Sequence, residues 1–173
     1  MKRLEGKVTV ITGGGKGIGF GLAKAFAREG SNLVITGRYE GRLLEAKEKL
    51  ESEYDITVLP IAADGADEEA IKRVVATAVE RFGRIDTLIN NAQVSKSGLP
   101  LIEHTREDLD LAINSGLYAA FFYMKECYPY LKESKGSVIN FASGAGLFGK
   151  LGQSSYAAAK EGIRGLSRVA AAE

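Results

Sequence analysis

Lys7-Val-Thr-Val-Ile-Thr12 runs into Gly13-Gly-Gly-Lys-Gly-Ile-Gly19, and this stretch decides how the rest of the 173-residue chain is read. A short run rich in β-branched residues ends in a glycine-rich turn, after which Ile18, Leu22, Ala25 and Phe26 recur with helical spacing. A strand, a glycine turn and a helix N-terminus in that order make an anion site. The unpaired N–H groups of the first helical turn and the positive end of its dipole face a phosphate, which comes close where no Cβ intervenes. The ligand this implies is a dinucleotide. The spacing is neither GxGxxG nor the Walker lysine pattern, which requires GKS or GKT, so phosphoryl transfer is the weaker reading. It is TGxxxGxG, carried by Thr12, Gly13, Gly17 and Gly19, with Gly15, Lys16 and Ile18 in the same turn. The bland alternative is a glycine-rich βα loop with no ligand.

Outward from this turn, short apolar runs alternate with amphipathic stretches. Strands are expected at Lys7–Thr12, Asn32–Thr36, Thr57–Ala62, Thr87–Asn90 and Ser137–Phe141. Helices are expected at Ile18–Glu29, Tyr39–Glu53, Asp67–Phe82, Thr105–Glu133 and Ser154–Ala172. The alternation implies an α/β fold with a parallel sheet and helices on both faces. Consecutive apolar residues such as Val138-Ile139 suit strands covered on both sides. Asp67 and Thr105 are placed to cap helices, and Pro129 predicts a kink or break in Thr105–Glu133. No repeat or linker divides residues 1–173, so one domain is expected.

The end of the second strand bears on which dinucleotide fits. An acidic residue there selects NAD through the ribose 2′-hydroxyl, whereas arginine accommodates the 2′-phosphate of NADP. The chain has Thr36-Gly37-Arg38, with Lys16 as a second cation. NADP(H) is therefore favoured and NAD(H) is the alternative, unless Arg38 is only a solvated turn residue.

Near the other end, Tyr156 and Lys160 stand four positions apart in a helical segment and share one face. Bringing a phenol from a pKa near ~10 to neutrality needs about 4 kcal/mol. One positive charge ~4 Å away at an effective dielectric of ~20 supplies about that much. The pair can serve as a general acid or base on a carbonyl or alcohol oxygen. Ser143, thirteen residues earlier, strengthens that reading over an accidental pair on a solvated helix.

Composition narrows the field. With 23 basic and 22 acidic residues and no basic run, nucleic acid and anionic membranes are poor candidate partners. Cys127 is the lone cysteine, expected in the core or at an interface, and His104 is the lone histidine, expected at a solvated position before a helix. Neither provides metal-ligand spacing, so no metal is expected. The opening MKRLEGKVTVITG is too soon interrupted by charge for a signal peptide or membrane span, which points to the cytoplasm.

Together the motifs resemble the short-chain dehydrogenase/reductase family: Thr12-Gly13…Gly17-Ile18-Gly19, then Asn90-Asn91-Ala92, then Ser143 with Tyr156 and Lys160. The resemblance runs from Lys7 to Glu173 and is nearest in overall pattern to 3-oxoacyl-carrier-protein reductases. It implies a Rossmann-type, doubly wound sheet and hydride transfer between a nicotinamide and a ketone or secondary alcohol. By the same resemblance Tyr156 is the proton donor and acceptor, and Lys160 lowers the phenol pKa and binds the nicotinamide ribose. Ser143 holds the substrate oxygen, and Asn114 holds a water joining Lys160 to solvent. Asn90 braces the central strands, Asn91 and Ala92 line the coenzyme, and Asp64 either contacts the adenine or only forms a turn. Dimers or tetramers through Thr105–Glu133 and Ser154–Ala172 are implied as well.

Two departures from the family pattern stand out. Gln93 replaces the glycine that usually follows Asn-Asn-Ala; at a positive φ it would be strained by ~1 kcal/mol or more, and its amide would point toward nicotinamide or substrate. The expected effect is on substrate preference. The chain also stops at Glu173, before the family's sixth strand and substrate lid. That leaves Ser137–Phe141 as a sheet edge open to association, lowers the expected stability, and keeps open a coenzyme-binding module with little turnover. The remaining specificity loop, Gly144–Gln153, carries Leu147, Phe148 and Leu151, an apolar wall suited to a hydrophobic ketone unless these residues pack against a neighbour.

Overall fold

Val8–Thr12 forms β1, and each of its five residues is buried. Its neighbours on both sides are parallel: β2 (Asn32–Gly37), with Val10 opposite Val34, and β4 (Thr87–Asn90), with Val10 opposite Leu88. β3 (Val58–Ala62) adds beyond β2 and β5 (Ser137–Asn140) beyond β4, giving the order β3-β2-β1-β4-β5. The structure, a computed structural model, describes residues 2–173.

Strand periodicity sorts the apolar residues between two cores. Val8, Val10, Val34 and Leu88 meet α3 (Glu68–Phe82) and α5 (Ala119–Ser134) on one face, through Ile71, Val74, Tyr123 and Cys127. Ile11, Leu33, Ile35 and Ile89 meet α1 (Gly17–Arg28) and α2 (Glu40–Glu53) on the other, through Ala23, Ala27, Leu43 and Leu50. Each such Val, Ile or Leu contributes ~1.5–3 kcal/mol by leaving water. Small alanines on α1 let it lie close to the sheet, which brings its N-terminus over the end of β1.

Both predicted caps form. Asp67 accepts from the N–H groups of Glu69 and Ala70, and Thr105 and Asp108 form a reciprocal capping box on α4 (Arg106–Ala112). Cys127 is fully buried, and burial pushes its thiol up to about 12. Pro60 is tolerated because β3 is an edge strand.

Several expectations are corrected. The predicted helix Thr105–Glu133 does not break at Pro129; α5 runs through it to Ser134, held by the buried Cys127 and Leu131 on either side. The irregularity lies earlier, in a π-helical turn, Ile113–Tyr118, between α4 and α5. β5 is not covered on both sides: Val138 and Ile139 are 40% and 41% exposed at the sheet edge. Residues after Ser143 form a short helix, α6 (Gly144–Phe148), too brief for periodicity to reveal. His104 is half-buried, and both ring nitrogens are buried without a hydrogen-bond partner among the described residues.

Candidate active site

The chain builds β1, β2 and β3 in one direction and then crosses back to β4 and β5, so the connections leaving β1 and β4 diverge. A cleft opens at such a switch point beyond the C-terminal ends of the strands. One hydroxyl fastens its base: Thr12 Oγ1 accepts from the backbone N–H groups of Asn91 and Ala92, each at 2.9 Å. Asn91 Nδ2 in turn donates to the Thr12 carbonyl at 3.0 Å. Glycine is required at two points here. Gly13 has φ +70° and packs against Asn91, and a Cβ on Gly19 would run into the Gly13 carbonyl. These contacts let α1 present its N-terminal amides to a cleft of about 500 Å³.

Every candidate coenzyme residue from Thr12 to Gly19, together with Arg38, Asp64, Asn91 and Ala92, lines this cleft. Tyr39, Arg42 and Ser115, also on its wall, escaped the sequence reading. Arg42 lies on the first turn of α2, and its guanidinium sits 5.0 Å from the Tyr39 ring centroid, while Arg38 approaches the same ring at 5.6 Å. With Lys16, the two arginines make a cationic end to the cleft. The third is Ser115, visible only once the π turn is known. Asp64 forms the turn offered for it, Oδ1 accepting from Ala66 N at 3.0 Å, and it also lines the cleft.

Tyr156 and Lys160 lie on α7 (Ser154–Ala172), one turn apart as their spacing requires. Lys160 is only 4% exposed, its Nζ donates to the Phe141 carbonyl at 2.6 Å, and it sits 5.6 Å from the Tyr156 ring centroid. Burial lowers the Lys160 ammonium from 10.5 to about 8. The hydrogen bond pins α7 to the end of β5. A polar chain does the same one layer down: Asn90 Nδ2 donates to Asn140 Oδ1 at 2.8 Å, Asn140 Nδ2 to Ser167 Oγ at 2.9 Å, and Ser167 Oγ to the Ile163 carbonyl at 2.6 Å. Asn90 thus braces β4 against β5 and, through it, against α7.

Ser143 caps α6, its Oγ accepting from Ala145 N at 3.2 Å, and has no hydrogen bond to Tyr156 among the described residues. Asn114 lies in the π turn, which packs on α7 where Gly162 meets Leu117; its carbonyl accepts from Ala119 N–H. Ser143, Tyr156, Lys160 and Asn114 do not line the cleft itself. Ser143, Tyr156 and Lys160 flank it on the β5 side, while Asn114 precedes the cleft-lining Ser115 in the π turn.

Gln93 differs from expectation. Lys135 is the single non-glycine residue at positive φ among the described residues, so Gln93 carries no such strain. Its side chain lies across Gly116, where a Cβ would come within 2.7 Å of it, and neither amide atom has a hydrogen-bond partner among the described residues.

Residues 7–173 match the family model for short chain dehydrogenases. The chain is 63% identical to a 12α-hydroxysteroid dehydrogenase of Clostridium sp. (strain ATCC 29733 / VPI C48-50), an alignment that takes in all of this chain and 69% of that protein. It is 38% identical to a 3-oxoacyl-[acyl-carrier-protein] reductase of Thermotoga maritima, over 99% of this chain and 69% of the relative. Among solved structures, levodione reductase superposes with a TM-score of 0.93 at 34% identity, over 98% of this chain and 67% of that one. NAD+-bound xylitol dehydrogenase gives 0.93 at 26% identity, over 98% and 65%. The chain thus spans about two thirds of these proteins' lengths. It belongs to the short-chain dehydrogenase/reductase family of oxidoreductases, and its sheet is the Rossmann-type sheet of that family.

Proposed function

We propose that residues 1–173 form a single dinucleotide-binding domain that interconverts a secondary alcohol and a ketone on a hydroxysteroid, using NADP(H) in preference to NAD(H). The observation that carries this reading is the buried Lys160, tied to the end of β5 beside Tyr156, at the same C-terminal end of the strands as the glycine cradle after β1. The residues fit a nicotinamide dinucleotide: Gly13 and Gly19 let the turn fold tightly on itself and on Asn91, Gly17 leaves open space at the head of α1, and α1 aims its free amides there. Arg38, Arg42 and Lys16 favour a 2′-phosphate at the β2 end.

When bound, the dinucleotide supplies or accepts the hydride. Tyr156 Oη gives a proton to the substrate oxygen in reduction and removes it in oxidation. Lys160 holds the phenolate by its charge and binds the adjoining ribose. Ser143 Oγ orients the substrate oxygen by a hydrogen bond, and Asn114 links Lys160 to solvent. Leu147, Phe148 and Leu151, 54%, 83% and 99% exposed, give the apolar surface that a steroid needs, and the similarity to a hydroxysteroid dehydrogenase supports the same class. A cytoplasmic dimer or tetramer completes the proposal, supported by exposed Leu109, Tyr118, Phe121 and Tyr128 on α4, the π turn and α5.

The test is oxidation of NADPH or NADH by the purified chain with 12-oxosteroids and a panel of other ketones. Turnover on the steroid is expected, reduced ~10²–10⁴-fold by Tyr156→Phe with coenzyme affinity retained. Undiminished turnover in that variant would remove Tyr156 from the chemistry. Coenzyme binding without turnover on any ketone would favour a binding module.

A further inference from the structure

Gln93 is a polar residue placed where its own fold gives it nothing to bond. It leaves the end of β4 directly after the Asn91-Ala92 pair that Thr12 holds, and it lines the cleft. Although the residue as a whole is partly exposed, its Oε1 and Nε2 are both buried and find no partner among the described residues.

The surroundings hold it there. The next residue is clasped to the π turn: Val94 N donates to Ser115 Oγ at 3.0 Å, and the single Ser115 hydroxyl proton is shared between the Leu111 carbonyl at 2.6 Å and the Val94 carbonyl at 2.8 Å. The amide then rests on Gly116, whose missing side chain provides the room; a Cβ would lie 2.7–3.1 Å from the amide atoms. A carboxamide fixed by its backbone, seated on a glycine and left unpaired is arranged for a partner that is not part of the chain.

The wall that Gln93 shares identifies the partner. Ser115 and Ala119 stand over Gly65, where a Cβ would be 3.2 Å from that of Ala119, so the π turn, Gln93 and the Asp64-Gly65 turn are continuous. Although Gln93 itself leaves β4, this contact ties its wall to the turn after β3, beside β2 with its Arg38 and beside Arg42, whereas Lys160 is tied to the end of β5. We propose that Gln93 is a coenzyme-positioning residue whose carboxamide hydrogen-bonds the adenosine half of the dinucleotide. This rests on the coenzyme reading above and replaces the expectation that the amide serves substrate preference.

Gln93→Met keeps the length of the side chain and removes the carboxamide. An unpaired buried amide destabilises the free protein, so the variant should melt at the same temperature as the wild type or higher. Its affinity for ADP-ribose and for the full dinucleotide, measured by calorimetry, should fall together by on the order of tenfold. Gly116→Ala, which displaces the amide, should weaken ADP-ribose to a similar extent and add little in the double variant. A purely structural Gln93 would instead lower the melting temperature and leave ADP-ribose affinity within about twofold, which overturns the assignment. Loss of dinucleotide affinity with ADP-ribose unchanged also overturns it, by moving the contact to the nicotinamide half. Failure of the wild type to bind either compound overturns the coenzyme reading itself.

Discussion

Replacing Thr12 by valine keeps the shape of the side chain and removes the oxygen on which the two halves of the sheet meet. In the wild type Oγ1 accepts from Asn91 N and Ala92 N, both at 2.9 Å, and points its own proton toward the Ile89 carbonyl at 3.4 Å. The 3.4 Å contact is long and contributes little, so the magnitude rests on the two N–H groups. Leaving a buried donor without an acceptor costs ~1–3 kcal/mol. Thr12 is 5% exposed, but Asn91 and Ala92 are half-buried, so water recovers part of this. The added methyl returns up to ~0.8 kcal/mol. A net loss of about 2 kcal/mol follows, or roughly 4–8 °C in Tm for a chain of this size. Thr12→Ser is the control: it keeps the oxygen, loses a methyl, and should cost ~1 kcal/mol. Urea unfolding followed by far-UV circular dichroism should rank stability Thr, Ser, Val at constant m-value. Because Asn91 and Ala92 floor the cleft, Val should also weaken ADP-ribose binding more than Ser does. A valine variant as stable as the serine variant would refute the idea that this hydroxyl fastens the switch point.

Asp86 is almost fully buried, which would raise its pKa, but hydrogen bonds from Arg84, the Val8 N–H and Lys7 outweigh that and hold the carboxyl below its ordinary value. Its stabilisation is therefore complete above the unfolded pKa of ~3.9 and lost as pH falls through the lower folded value; Asp86→Asn should cost ~1–3 kcal/mol at neutral pH and flatten the acid limb of a stability-versus-pH curve. Lys160 behaves oppositely. Its folded value of about 8 lies below 10.5, so between those values the unfolded chain binds more protons and stability of the coenzyme-free protein should rise with pH. Lys160→Met should abolish that rise, as read by chemical denaturation across the same window, and a wild-type curve that falls there would contradict burial as the cause. Arg38→Ala with Arg42→Ala should weaken NADPH at least ~10-fold while leaving NADH within about twofold, since only the phosphorylated coenzyme loses charge-assisted hydrogen bonds; equal losses for both would place the 2′-phosphate elsewhere.

Much of the site was legible from local pattern. The glycine spacing after β1 reports a backbone that must turn and a helix that must come close, and both requirements act within a few residues. Tyr156 and Lys160 were legible for the same reason, because helical periodicity alone puts them on one face. Arg42 was not, since its link to Arg38 runs through the Tyr39 ring and depends on where α2 begins. The π turn was hidden because Pro129 is the residue with a known power to disturb a helix, while the actual irregularity follows from packing at Asn114, Ser115 and Gly116 against the 92–94 segment and α7.

The sequence by itself determined the alternation of strands and helices, the phosphate-cradling turn and the chemical pairing on the last helix, since each is set by propensity, period or the absence of a Cβ over short spans. Only the tertiary structure decided that Thr12 clasps Asn91, that Lys160 is buried and bound to Phe141, and that the Gln93 amide lies unpaired over Gly116. Those contacts join residues 19 to 80 positions apart, and no local rule fixes them. They follow from the strand order, which places the ends of β1, β4 and β5 side by side.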